Sequence, residues 1–126
     1  TDYGAKARYA RDALERFDFL YLHVEAPDEA GHMGSAAEKV KAIERVDGML
    51  GTILEPFEGT VAVLPDHAAP IRVRNHTPDP VPCVVRGIGT DGCRRLTERE
   101  AAKGAFGTLD ATDLLPLILG SGTHNL

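Results

Sequence analysis

Three short apolar runs set the limits on how this chain folds: Asp18–Val24 (DFLYLHV), Thr60–Leu64 (TVAVL) and Cys83–Arg86 (CVVR). Each is too short for a stable helix, and aromatic or branched residues dominate, which predicts strands. The first is nearly continuous rather than alternating, as in a parallel strand covered on both faces. Between the first two, Ser35 and Glu38 have the spacing of a capping box. The helix that follows is expected to run to about Leu54, with Ala36, Val40, Ile43, Val46, Leu50 and Ile53 on its inner face. Pro56 and Gly59 stop it. Strand, helix and strand at these lengths predict a βαβ unit with a right-handed crossover. The expected fold class is therefore α/β, a partial, mostly parallel sheet with flanking helices.

The remaining segments are read in the same way. Residues 4–17 predict a helix with Ala5, Tyr9, Ala13 and Phe17 on one face. Pro27 and Gly31 break the pattern and predict a loop. Pro65–Pro82 is proline-rich and lacks helical periodicity, with room for a short strand-like excursion at Ile71–Arg74. Gly87, Gly89 and Gly92 mark turns. Thr97–Lys103 predicts a short helix capped by Thr97 with Glu100. Ala111–Leu119 predicts a last helix begun near Asp110, although Pro116 is tolerated only in the first turns and argues for a later start. The tail from Gly120 is expected to be loose.

At 126 residues the chain has the length of one domain, or of a piece of a larger one. It does not begin with Met, which points to a piece of a longer polypeptide. Its net charge of −5 gives no electrostatic case for nucleic acid or an anionic membrane as a partner. No apolar run approaches the roughly 20 residues that span a bilayer, and TDYGAKARYA has no apolar signal core. The two cysteines, Cys83 and Cys93, stand outside any metal-ligand spacing and fit a reduced cytoplasm.

The chemistry-bearing residues follow the apolar runs. Asp28 and His32 come after the first run, in VEAPDEAGHM; Asp66 and His67 come directly after the second, in LPDHAAP; His76 precedes the third, in NHTPDPVP. Ligands of open α/β sheets gather beyond the carboxyl ends of strands, so these five side chains are candidates to meet at one edge. Asp28 and His32 face one ion if the loop between them turns tightly, with Gly31 assisting. Mixed carboxylate and imidazole donors suit Mn²⁺, Zn²⁺ or Fe²⁺ better than Ca²⁺. With no cysteine in the set, an open catalytic site fits better than a closed structural one. Two ions about 3.5–4 Å apart clamp the attacking and leaving oxygens of a phosphoryl transfer. Imidazole binds a metal only when neutral, so affinity should fall below about pH 6.5.

Plainer roles stand beside these. Asp28 alone serves as a turn residue, Asp66 as a helix cap, and His76 with Asp79 as a hydrogen-bonded loop pair. His23 reads as a packed or sheet-edge histidine and His124 as a solvated one. Glu25 and Glu29 are available as extra ligands. Ser35 is explained by capping.

The order DEAGH, then LPDH, then HTPDPVP resembles cofactor-independent phosphoglycerate mutase of the archaeal type, in the alkaline phosphatase superfamily. The AIERVD helix, TDY near the start, KGAFG and the LLPLIL segment extend the resemblance over almost the whole chain. It implies isomerisation of 3-phosphoglycerate and 2-phosphoglycerate through a transiently phosphorylated serine at a site with two divalent metals (Mn, Zn or Mg) in the full-length protein, with one or none expected in this piece alone. Asp28, His32 and His76 match the ligands of one ion, and Asp66 and His67 match ligands of the other. The serine and a further aspartate belong to an N-terminal segment with no match in this sequence, so no catalytic residue is assigned in this chain. Residues 1–126 thus resemble the C-terminal part of a metal-binding, phosphatase-like α/β domain, inactive alone. One alternative is another phosphoryl-transfer enzyme of that superfamily, such as a homoserine-kinase-like relative. Another is a non-catalytic module that binds a metal or a partner. An unpaired sheet edge would also invite self-association.

Overall fold

The computed structural model of the chain describes residues 2–120. These form two compact units, one of residues up to 58 together with 69–77, the other of 59–68 with 78 onward.

The first unit is helical. Helix α1, Tyr3–Arg16, begins where the Asp2 carboxylate accepts the Ala5 amide at 2.9 Å. It ends at Phe17, whose backbone is extended. Helix α2, Ala26–Met33, occupies the stretch expected to be a loop. Pro27 lies in its first turn, where a missing amide costs no hydrogen bond. Gly31 is there for packing: a Cβ would come within 2.9 Å of the Ala69 carbonyl oxygen. Gly34, at φ 70°, closes α2 with its amide bonded to the Ala30 and Gly31 carbonyls. Helix α3, Ala36–Leu54, starts as expected, with the Ser35 hydroxyl accepting the Glu38 amide at 3.2 Å.

Helices α1 and α2 both pack on α3. Ala7 and Ala10 of α1 meet Met49 and Ile53 of α3 in the buried cluster, with Tyr3, Leu14, Val46 and Leu54 around it. The small side chains of α1 are the buried ones, and its expected inner face is not. Tyr9 and Phe17 are 75% and 61% exposed. On α3, Ile53 and Val46 face inward as expected, whereas Val40 and Ile43 are exposed. Periodicity located the helices; which side turns inward was decided by where alanines allow close approach.

Residues 18–24 form neither helix nor strand. Leu20, Leu22 and Val24 pack against the helical core, while Phe19, Tyr21 and His23 face outward. The Lys6 ammonium donates to the His23 carbonyl at 2.9 Å. The segment 69–77 is tied to the helices by Lys39, whose ammonium donates to the Ala69 carbonyl at 2.8 Å. Ile71–Arg74 is a turn rather than a strand, with the Val73 and Arg74 amides both bonded to the Pro70 carbonyl at 3.0 Å.

The second unit holds the sheet. Strand β1, Val61–Val63, pairs antiparallel with β2, Val84–Arg86, in the register Val61–Arg86, Ala62–Val85 and Val63–Val84. This overturns the expected mostly parallel sheet and its βαβ crossover. The fold is α/β, with helices and a two-stranded antiparallel sheet among the described residues. The chemistry of the strands was legible, but pairing direction depends on which strands meet, and Asp18–Val24 pairs with neither.

Helix α4, Glu98–Ala101, is capped by the Thr97 hydroxyl, which accepts the Glu100 amide at 3.1 Å. The Asp91 carboxylate ties together the segments on either side of α4, accepting the Cys93 and Ala105 amides at 2.9 and 3.0 Å. Helix α5, Ala111–Leu119, starts where first expected, with the Asp113 carboxylate accepting the Asp110 amide at 3.2 Å. Pro116 sits in its interior without delaying the start. The carbonyl that loses its partner there belongs to Thr112, on an exposed stretch open to water. His124 and the tail beyond Gly120 lie outside the described residues.

Candidate metal centre

Helix α2 changes how Asp28 and His32 meet. No tight loop is needed, because residues four apart on a helix lie on one face. The His32 Nε2 and Asp28 Oδ2 atoms are 3.4 Å apart. The third member, His76, arrives from the 69–77 segment beyond the Pro70–Arg74 turn. Its Nε2 lies 3.0 Å from Asp28 Oδ1 and 3.2 Å from His32 Nε2. The two imidazole centroids stand 5.0 Å apart with their planes tilted by 49°.

Backbone hydrogen bonds accompany both histidines, one of them to a ring nitrogen. His32 Nδ1 donates to the Arg74 carbonyl at 3.0 Å. The His76 amide donates to the Asn75 side-chain oxygen at 2.8 Å. The contact to Arg74 was not foreseen, since a backbone carbonyl has no signature in residue type.

One donor atom from each of Asp28, His32 and His76 lies within 4.8 Å of the others. For ligand bonds of about 2.0–2.2 Å, donor pairs on one ion stand roughly 3.0–3.4 Å apart, the separations found in this triad. The donor set of one carboxylate and two imidazoles fits a borderline divalent metal. Its side chains are 35%, 41% and 46% exposed for Asp28, His32 and His76, which leaves the centre open to a further ligand.

The structure thus brings together three of the five expected residues. Asp66 and His67 belong to the second unit, with His67 Nε2 3.2 Å from Asp66 Oδ1. Glu25 precedes the first residue of α2 and Glu29 is exposed in its first turn; neither joins the cluster. His23 is exposed on the 18–24 segment.

A helical unit that presents one carboxylate and two imidazoles toward a common point defines a candidate metal-dependent protein. The chain belongs to the Metalloenzyme superfamily, whose profile matches residues 1–120. It is 50% identical over 125 residues to the 2,3-bisphosphoglycerate-independent phosphoglycerate mutase 2 of Methanothermobacter thermautotrophicus, covering 94% of this chain and 31% of that protein. It is 40% identical over 124 residues to the 2,3-bisphosphoglycerate-independent phosphoglycerate mutase of Pyrococcus horikoshii, covering 94% of this chain and 30% of that one. In three dimensions it is similar to the PH0037 protein from Pyrococcus horikoshii, with a TM-score of 0.92 and 39% identity, over 96% of this chain and 38% of that one. The resemblance to cofactor-independent phosphoglycerate mutase is therefore borne out, and the chain spans about a third of the length of the curated relatives it matches.

Proposed function

We propose that Asp28, His32 and His76 bind one divalent cation, and that this chain is the metal-bearing portion of a phosphoglycerate mutase. The longer protein would interconvert 3-phosphoglycerate and 2-phosphoglycerate in the cytoplasm. The observation that carries this is the convergence of three donor atoms from two separate pieces of chain. The names of the relatives support a mutase over a kinase-like enzyme.

Bound at the triad, a divalent ion such as Mn²⁺ or Zn²⁺ supplies Lewis-acid stabilisation to phosphoryl oxygens. The side chains of this chain hold and orient. Asp28 contributes the negative charge, His32 and His76 contribute Nε2, and the Arg74 carbonyl fixes the His32 ring. Asp66 and His67 are proposed as ligands of a second ion. The remaining ligands and the serine that accepts and returns the phosphoryl group would come from a segment that has no match in this sequence. On this proposal the chain alone binds metal and does not turn over.

The test is a calorimetric titration of the metal-stripped chain with Mn²⁺ and Zn²⁺ at pH 7.5. One tightly bound ion per chain is expected, with His76→Ala weakening it at least about tenfold. Unchanged affinity after replacing both Asp28 and His32 with Ala would show that the ion sits elsewhere.

A further inference from the structure

We propose that Arg74 is a positioning residue of the metal centre. Its backbone carbonyl, aimed by a left-handed conformation, keeps the His32 proton on Nδ1 and turns the Nε2 lone pair toward the cation. This rests on the triad being the metal site.

Arg74 has φ 57°, the one positive value at a non-glycine residue among those described. A side chain at Cβ makes that conformation unfavourable, so the surroundings must hold it. Two of them do. The Arg74 amide, with that of Val73, is bonded to the Pro70 carbonyl, which closes the turn. The Arg74 guanidinium lies over Gly34, where a Cβ would come within 2.8 Å of its Cζ. The glycine that closes α2 therefore also makes room for the arginine. So held, the Arg74 carbonyl lies 3.0 Å from His32 Nδ1. A carbonyl only accepts, so Nδ1 carries the hydrogen, and the neutral ring has its lone pair on Nε2. Nε2 is the His32 atom that faces Asp28 and His76. A ring-nitrogen hydrogen bond of this kind sets both tautomer and orientation of a ligating histidine. Two residues further on, the same segment delivers His76.

The deciding experiment is a long-range nitrogen–proton correlation spectrum of the metal-free chain at pH 8, read alongside zinc titrations of three variants. Neutral His32 is expected in the Nδ1–H form. Arg74→Gly and Arg74→Asn tolerate positive φ and should keep that tautomer and zinc affinity within about threefold. Arg74→Val disfavours positive φ, swings the carbonyl away, and should lower zinc affinity by about 10–100-fold with the tautomer shifted toward Nε2–H. Wild-type His32 in the Nε2–H form would overturn the inference, whatever the variants do. So would a folded Arg74→Val chain with wild-type tautomer and affinity, or an Arg74→Gly loss as large as that of Arg74→Val. Nδ1–H in a chain that binds no zinc would leave the positioning intact and refute the metal reading instead.

Discussion

Replacing Gly31 by Ala sets two effects against each other, and the structure decides between them. Gly31 is inside α2, where alanine is the better helix former by about 1 kcal/mol. On propensity alone the substitution stabilises. The added methyl, however, would stand 2.9 Å from the Ala69 carbonyl oxygen and 3.3 Å from its Cβ. The first is a backbone atom and cannot rotate away. Restoring ordinary contact requires α2 and the 69–77 segment to separate by about 0.5 Å. The Ala69 carbonyl is also the acceptor for the Lys39 ammonium, so the separation strains that bond as well. Overpacking of this kind costs about 1–3 kcal/mol. The net effect should be a loss of about 0–2 kcal/mol, visible as a melting temperature a few degrees lower. The larger consequence is at the site. Asp28 and His32 are on one side of the contact and His76 on the other, and sites of this kind tolerate only about 0.5 Å of misplacement. Zinc affinity of Gly31→Ala should therefore fall about tenfold or more, beyond what its small stability loss explains. Thermal unfolding of the metal-free chain and zinc competition titration read the two quantities separately. A variant that melts higher and binds zinc like the wild type would refute the packing argument.

Two further substitutions probe local anchors. Ser35→Ala removes the hydroxyl that accepts the Glu38 amide and should destabilise the first unit by about 1 kcal/mol, measured by urea unfolding. The Ala105 and Cys93 amides hold the Asp91 carboxyl below the usual carboxylate range. A lowered folded-state pKa means the clasp stabilises at neutral pH and is lost as pH falls through that depressed value. The Ala105 amide should thus stay protected from hydrogen exchange through pH 4 and open only in stronger acid. Asp91→Ala, which removes both acceptor oxygens, should expose it already at pH 7; unchanged protection there would sink the clasp.

The site was more legible than the sheet, for a physical reason. Asp28, His32 and His76 are chemically distinctive, and their roles survive a change in the element that carries them. The expected loop at Pro27–Gly31 became α2, yet the pair still meets, because four-residue spacing works on a helix as well as in a turn. Pro27 and Gly31 misled because both have helical uses, one in the first turn and one at a close contact. Capping was read correctly at Ser35 and Thr97, where hydroxyl and amide are three residues apart and tertiary context hardly enters. The Arg74 carbonyl was invisible, since a backbone oxygen is common to every residue.

The segment 18–24 shows where the prediction of strands fails and suggests how to test what it lacks. Its side chains alternate, with Leu20, Leu22 and Val24 inward and Phe19, Tyr21 and His23 outward, where a continuous run covered on both faces was expected. A strand, though, is defined by a ladder, and the ladder among the described residues joins only β1 and β2. Apolar pattern is written in the residues of one segment; pairing is a property of two. Tyr21 is 73% and Phe19 45% exposed, an apolar face beside backbone outside any ladder. In dilute solution, amides 19–22 should therefore exchange with deuterium much faster than those in the middle of α3. Raising the protein concentration tests self-association at the same edge. Protection of 19–22 that grows with concentration would mean that copies pair there. Protection as strong as that of α3 at high dilution would mean that a partner within the chain already closes this edge, leaving no open backbone for a second copy to pair with.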